Sequence, residues 1–438
     1  MFKYKNLVLL IMVWAASPVY SQFSLNGQYI LRGEYRHGFN RPISQNDDPA
    51  QFLAHRARLQ AQYQSERLHM FVSVQDIRTW GSTPQANTSD AFLSVYEAWG
   101  EYKFTPHLSA KLGRQELNYD GSRFLGSLDW FLQARSHDFA LVKWEKDGRK
   151  LHVGAGYNQD GQTLANHDFF TPNQYKSALM ARYESFNTPL QYSLLAWAET
   201  RQRLISAEGT LVTDGTHNRQ TFGAPTLRYA LGGNTEISGY YYHQLGQDVQ
   251  RRSINAYNAN LQLLQRIPLD SVSGSQLRLV AGAELISGTD QNTQSDKNHS
   301  YSLQYGTNHL FNGYMDLFYV GGAHENSVGL NDYYVKARYD INPRFFVQGD
   351  YHRFDANAQV VDATGADMQN NLGHEIDITA GYVLNPEFSV QAGYSHFFAT
   401  DTWRRLHANL NMHDTQNWAY LMLIFRPGNP NKFIGPKL

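Results

Sequence analysis

Polar and apolar positions alternate along most of the chain. In "GQYILRGEYR" one face carries Gln28, Arg32, Glu34 and Arg36, and the other carries Tyr29, Leu31 and Tyr35. "FLAHRARLQAQYQ" sets Arg56, Arg58, Gln60 and Gln62 against Leu53, Ala57, Leu59 and Tyr63. "SQLRLVAGAELISG" and "YYVKARYDI" repeat the pattern, with Leu277, Leu279, Tyr333 and Val335 opposite Arg278, Glu284, Lys336 and Arg338. A period of two is the mark of a strand with two different faces. The pattern predicts about 18 strands, near 27–37, 51–64, 67–78, 92–104, 107–117, 136–146, 149–158, 174–185, 189–200, 218–231, 235–245, 252–266, 275–288, 329–341, 344–354, 373–384, 388–399 and 415–426. Segments of about ten residues with one apolar face suit a membrane barrel, whereas strands of soluble domains are usually about five or six residues long.

The connections sharpen this expectation, because short and long ones alternate in phase with strand number. The short ones are turn chemistry, such as "DG" at 147, "GGN" at 232 and "NP" at 342. The long ones are 38–50, 79–91, 118–135, 159–173, 201–217, 289–328, 355–372 and 400–414. Short periplasmic turns facing long outer loops are the habit of outer-membrane barrels. In lipid every strand edge must be paired, so the sheet has to close. The predicted fold is therefore all-β: a single closed antiparallel transmembrane β-barrel of about 18 strands, with both chain ends on the periplasmic side and an aqueous lumen. Tyr63, Trp144, Tyr183, Tyr229 and Tyr382 fall near strand ends, where interfacial girdles form.

The N-terminus changes the compartment. Lys3 and Lys5 precede an apolar run from Leu7 to Ala16 and then "SPVYSQ", the layout of a secretory signal peptide with a cut after Ser21. That divides the chain into a leader (1–21), a barrel (22–426) and a short tail (427–438), in the outer membrane of a Gram-negative bacterium. No Pro/Ser-rich linker divides the mature part, and no later apolar run reaches the length of a spanning helix. Mean hydropathy is -0.51, which alone would suit a soluble protein, but aromatics reach 14% and charged residues only 18%. Soluble domains carry about a quarter charged residues. Cysteine is absent, which excludes disulfides and thiolate metal sites, and the net charge of -1 gives no pull toward nucleic acid.

The lumen predicted from the alternation is mixed in charge. Glu34, Glu97, Glu101, Glu145, Glu184, Glu236, Glu284, Glu375 and Asp377 all fall on inward positions, where they can brace arginines on neighbouring strands. A catalytic barrel is the rival class, but "GHEIDITAGY" places His374 and Asp377 on opposite faces, and "DATGAD" lacks calcium-loop spacing. No enzyme activity, cofactor or metal is expected.

One stretch, "LGRQELNYDGSRFLGSLDW" at 112–130, packs five charged residues among glycines, and "ARSHDFALVKW" follows it. Together with upstream "HRARLQ" and "SVQDIRTWG", these segments resemble the alginate export family of outer-membrane porins. Downstream, "YGTNHLFNGYMDLFYVGG" resembles the loop block of Bacteroidetes-type members, so that the resemblance spans most of the mature chain. It implies a channel that passes an anionic polysaccharide or oligosaccharide, alginate-like, and that meets periplasmic secretion or degradation proteins. Carried over onto matching positions, the lumenal binding residues are Arg56, Arg58, Asp76, Arg78, Arg114, Glu116, Arg123, Arg135 and Asp138. Guanidinium groups suit a polyuronate because their planar fork binds carboxylates bidentately. The alternative is a less selective porin for small sugars or organic acids, with the arginines as wall braces.

Two departures from the family pattern accompany this expectation. The periplasmic turns are all short, which leaves no long turn to act as a plug. The chain also runs past Phe425 as "RPGNPNKFIGPKL", so the assembly signal is expected in "NWAYLMLIF" with a tail after it. The segment 118–135 is expected to fold inward, with Gly121 and Gly126 permitting the turns and Trp130 anchoring it to the wall.

Overall fold

The computed structural model describes residues 22–435 except 87–91, 163, 166, 172–173, 208, 293–295, 319–326, 408–410 and 430–431. The leader expected at 1–21 lies outside the described residues, as does part of the tail.

The strands are β1 (Gln22–His37), β2 (Ala50–Gln64), β3 (Leu68–Thr79), β4 (Leu93–Thr105), β5 (Leu108–Gln115), β6 (His137–Lys146), β7 (Arg149–Tyr157), β8 (Ser177–Ser185) and β9 (Leu190–Ala207). They continue with β10 (Thr210–Ala230), β11 (Thr235–Gln247), β12 (Ser253–Asp270), β13 (Ser275–Ile286), the two-residue β14 (Lys297–Asn298), β15 (Leu330–Asn342), β16 (Phe345–Asp355), β17 (Asn371–Asn385), β18 (Phe388–Ala399) and β19 (Thr415–Phe425). Each wall strand pairs antiparallel with its sequence neighbours, and β13 pairs directly with β15. The sheet closes where β1 meets β19, from Tyr29 opposite Phe425 to His37 opposite Asn417. β14 runs parallel to the start of β12 and adds no turn of wall, so the barrel has 18 strands.

The period of two becomes two different environments. On β15 the outward Tyr333, Val335 and Tyr339 are exposed, while the inward Asp332, Tyr334 and Lys336 are buried. On β6 the inward His137, Phe139 and Leu141 are buried and the outward Val142 is exposed. Outward Leu, Val and Tyr form the lipid-facing band. Tyr63, Tyr229 and Tyr382 are exposed near strand ends; Trp144 and Tyr183 are half-buried there.

One connection departs from expectation. The long loop expected at 201–217 is instead strand, because β9 and β10 extend as a paired ribbon up to Ala207 opposite Thr210. Here polar residues occupy both faces, so the hydrophobic alternation that marks a membrane strand is missing while backbone pairing continues above the lipid. Irregular registers at Thr213/Thr216 and Gly223/Thr226 let this long ribbon bend.

Candidate functional site: the loop-braced lumen

Two long connections fold into the barrel and meet there. The segment 116–136 leaves β5 and crosses the lumen, and the segment 299–318 enters from the other side. Their backbones pair as a short parallel bridge between Leu125 and Tyr305. The Gly126 N–H donates to the Tyr305 carbonyl at 2.9 Å and the Thr307 N–H to that of Ser122 at 2.8 Å. Arg135 adds a bond from Nη1 to the Gly306 carbonyl at 2.9 Å. The close approach depends on glycine: a Cβ on Gly126 would stand 2.4 Å from Thr307 Oγ1, and Gly121 sits at φ +70°.

Aromatic packing makes the crossbar a core of its own. Phe124 packs edge-on against Trp197 and Tyr305, with ring centroids 6.0 Å away in each case. Trp130 stacks on His309 at 4.0 Å and meets the Tyr420 edge at 4.9 Å, which anchors the segment to β19. Phe124, Leu125, Trp130, Tyr305 and Met315 are buried. A loop this apolar would be costly to leave in water, and the lumen is where it finds partners.

Charged side chains pin the crossbar to the wall. Arg56, with 0% exposure, donates to Asp129 at 2.7 Å and to the Leu132 carbonyl at 3.0 Å. Arg426 holds the other oxygen of Asp129 at 2.7 Å. Burial alone would raise the Asp129 carboxyl, but these two guanidiniums outweigh it and hold it well below the usual carboxylate range. Arg123, 1% exposed, reaches across to Glu284 on β13 at 2.6 Å and to Asn312 at 2.9 Å. Arg182 on β8 binds Asp120 at 2.7 Å. From the second segment, the Tyr305 hydroxyl donates to Glu199 at 2.6 Å and the Met315 N–H to Glu375 at 2.9 Å.

The nine residues carried over from sequence fall into two groups. Arg56, Arg58, Glu116, Arg123 and Arg135 lie inside. Arg58 donates to Gln75 at 2.7 Å beneath the Tyr96 ring, and Glu116 accepts from the Tyr96 hydroxyl. Asp76, Arg78, Arg114 and Asp138 correct the expectation, because they lie on the outward face. Gln75 is the inward partner of Arg58, so its neighbours Asp76 and, two further on, Arg78 point away from the lumen. Arg78 and His55 both pair with Asp76 there, the first at 2.7 Å and the second at 3.1 Å. Arg114 lies opposite Asp138 and contacts it at 3.0 Å, with side chains 41% and 55% exposed. Near the outer strand ends the lipid gives way to head groups, where outward charge costs little. The resemblance marked them for the pore, but their parity in the strand excludes them from it.

Several site residues escaped the sequence reading. Asp129, Tyr305 and Asn312 lie in long connections, where no strand parity assigns an inside. The signal that could have found them is aromatic density, since "LQYGTNHLFNGYMDLF" is too apolar for a solvated outer loop.

The tail also enters the lumen, from the short-turn side. The Ile434 N–H donates to Gln391 Oε1 at 3.1 Å and Gln391 Nε2 donates back to the Ile434 carbonyl at 2.7 Å. Phe433 meets the Phe346 ring edge-on at 5.0 Å, and Gly435 lies against Trp130. On the opposite side, between the crossbar and the periplasmic turns, a cavity of about 560 Å³ remains along the inner faces of β8 to β16.

Residues 21–165 match the family model for alginate export, about a third of the chain and less than the span of the sequence resemblance. Among curated proteins none matches the chain. Solved structures match its fold: Pseudomonas aeruginosa OccK9 (OpdG) at 14% identity and TM-score 0.57, covering 92% of this chain and 98% of its own. OpdQ from the same organism matches at 10% identity and TM-score 0.57, covering 92% of this chain and 97% of its own. The P. aeruginosa outer-membrane protein OpdK matches at 13% identity and TM-score 0.55, covering 92% and 98% respectively. The chain has the fold of these outer-membrane β-barrels.

Proposed function

We propose that the chain is a non-catalytic channel for small hydrophilic solutes of the saccharide class, passing short oligomers and not polymer. The observation that carries this reading is the crossbar: two inward segments joined by backbone hydrogen bonds across the middle of the lumen. A long polyuronate needs a continuous duct lined by weak, equivalent sites. Here the inward arginines are engaged with named partners, Arg56 with Asp129 and Arg123 with Glu284. They act as braces. The alginate export match over residues 21–165 supports a carbohydrate cargo.

Swelling of vesicles carrying the purified chain tests the reading. We expect mono- and disaccharides to enter and high-molecular-mass alginate to be excluded. Transit of the polymer would restore the export-duct reading.

A further inference from the structure

We infer that the cavity on the β8–β16 side is a binding site for a neutral, hydroxyl-rich oligosaccharide, and not for a uronate. The inference rests on the channel reading above and specifies its cargo.

Charge balance comes first. Arg182, Arg228, Arg266 and Lys336 are the permanent cations of the lining, and it holds five carboxylates. Each cation is engaged. Arg182 binds Asp120 at 2.7 Å, and Lys336 binds Asp350 at 3.3 Å. Near the periplasmic turns Arg228 and Arg266 share Glu236, at 3.2 and 3.4 Å. Deeper in, His352 binds Asp332 at 2.9 Å, and Glu284 answers Arg123 from the crossbar. A uronate carboxylate entering this space would have to break an existing pair or lie beside Asp332 and Glu284. At distances of a few ångströms in a narrow space such repulsion is worth kilocalories.

The remaining wall suits sugar hydroxyls. Strands β11, β12 and β15, with β13 between the last two, carry a ladder of neutral polar groups on their inner faces. Gln262 Nε2 donates to Ser238 Oγ at 3.1 Å, Tyr334 donates to Gln262 Oε1 at 2.9 Å, and Asn260 Nδ2 donates to Tyr334 Oη at 2.9 Å. An amide has two N–H groups and a carbonyl with two lone pairs, so one bond in each direction leaves capacity to exchange with a hydroxyl. Beside this ladder Leu264, Val280 and Tyr334 form a small apolar patch. Apolar surface next to converging amides is the double requirement of a pyranose, which presents C–H on its faces and O–H on its rim. The roof is Phe311 and Asn312, brought in by the second inward segment. At about 560 Å³ the space holds a short oligomer.

Current block in planar bilayers tests this with the full chain. Maltotriose, added on the periplasmic side, is compared with trigalacturonate of equal length, and both are repeated on Tyr334→Phe and Gln262→Leu. We expect maltotriose to block at a concentration at least tenfold lower than trigalacturonate, and each variant to weaken the maltotriose block several-fold. Heat-modifiable gel migration identifies variants that fail to close the barrel, and Ser238→Ala then takes their place. Tighter block by trigalacturonate, or equal block in the variants, overturns the neutral-sugar site while ion conductance still upholds the channel. Absence of any conductance overturns the channel reading itself.

Discussion

At the residue scale, the parity of a strand position decides more than its chemistry. Arg56 and Arg114 both lie in polar-looking stretches, yet one is enclosed and braces a loop while the other stands on the outer face with Asp138. Parity makes a stability prediction. Leu279 and Val335 are outward and exposed, at 36% and 55%, whereas Gln62 is inward and donates to Ser24. Arginine at position 279 or 335 should cost about 2–4 kcal/mol if the site is near the bilayer midplane. Gln62→Arg should be nearly neutral. Urea unfolding in vesicles measures all three, and equal losses would contradict the face assignment.

At the element scale, one carboxylate ties the segment 116–136 to the closing seam. Asp129 joins Arg56 of β2 to Arg426 beyond β19, and so fastens the crossbar at the seam where the barrel closes. Removing one partner of a buried ion pair leaves the others uncompensated. Asp129→Asn should therefore loosen the segment and raise the single-channel conductance at neutral pH. The sign of the pH effect follows from the depressed carboxyl. Its stabilising contribution is complete above the ordinary value of about 4 and is lost only as pH falls through the lower folded value. Conductance of the unsubstituted chain should stay constant from pH 7 to about 4.5, well above that loss. A rise already at pH 5 to 6 would assign the brace to another group. None of this was legible in "GSLDW", where nothing specifies that two arginines, distant in sequence, converge on Asp129.

For the whole molecule, the periplasmic turns are short as expected, and it is the tail that enters the lumen from that side. Ile434 and Gln391 exchange hydrogen bonds, and Phe433 and Gly435 rest on Phe346 and Trp130, so the tail supports the crossbar from below. A chain ending at Arg426 keeps the Asp129 pair and every wall strand. It should still close into a heat-modifiable barrel and should conduct more than the full chain. Equal conductance would make the tail a passive resident of the lumen.

The sequence by itself determined the barrel. Strand number, the turn side and the lipid-facing set are local properties, because each follows from a period of two and from turn chemistry within a few residues. Even the strand bounds are near those expected, except where the β9–β10 ribbon leaves the membrane and loses its apolar face. The interior was decided only by tertiary structure. Asp129 with Arg426, Arg123 with Glu284 and Leu125 with Tyr305 join positions 297, 161 and 180 residues apart. No periodicity links such positions. They meet because closing the sheet brings opposite walls within reach of loops whose apolar side chains have nowhere else to be buried.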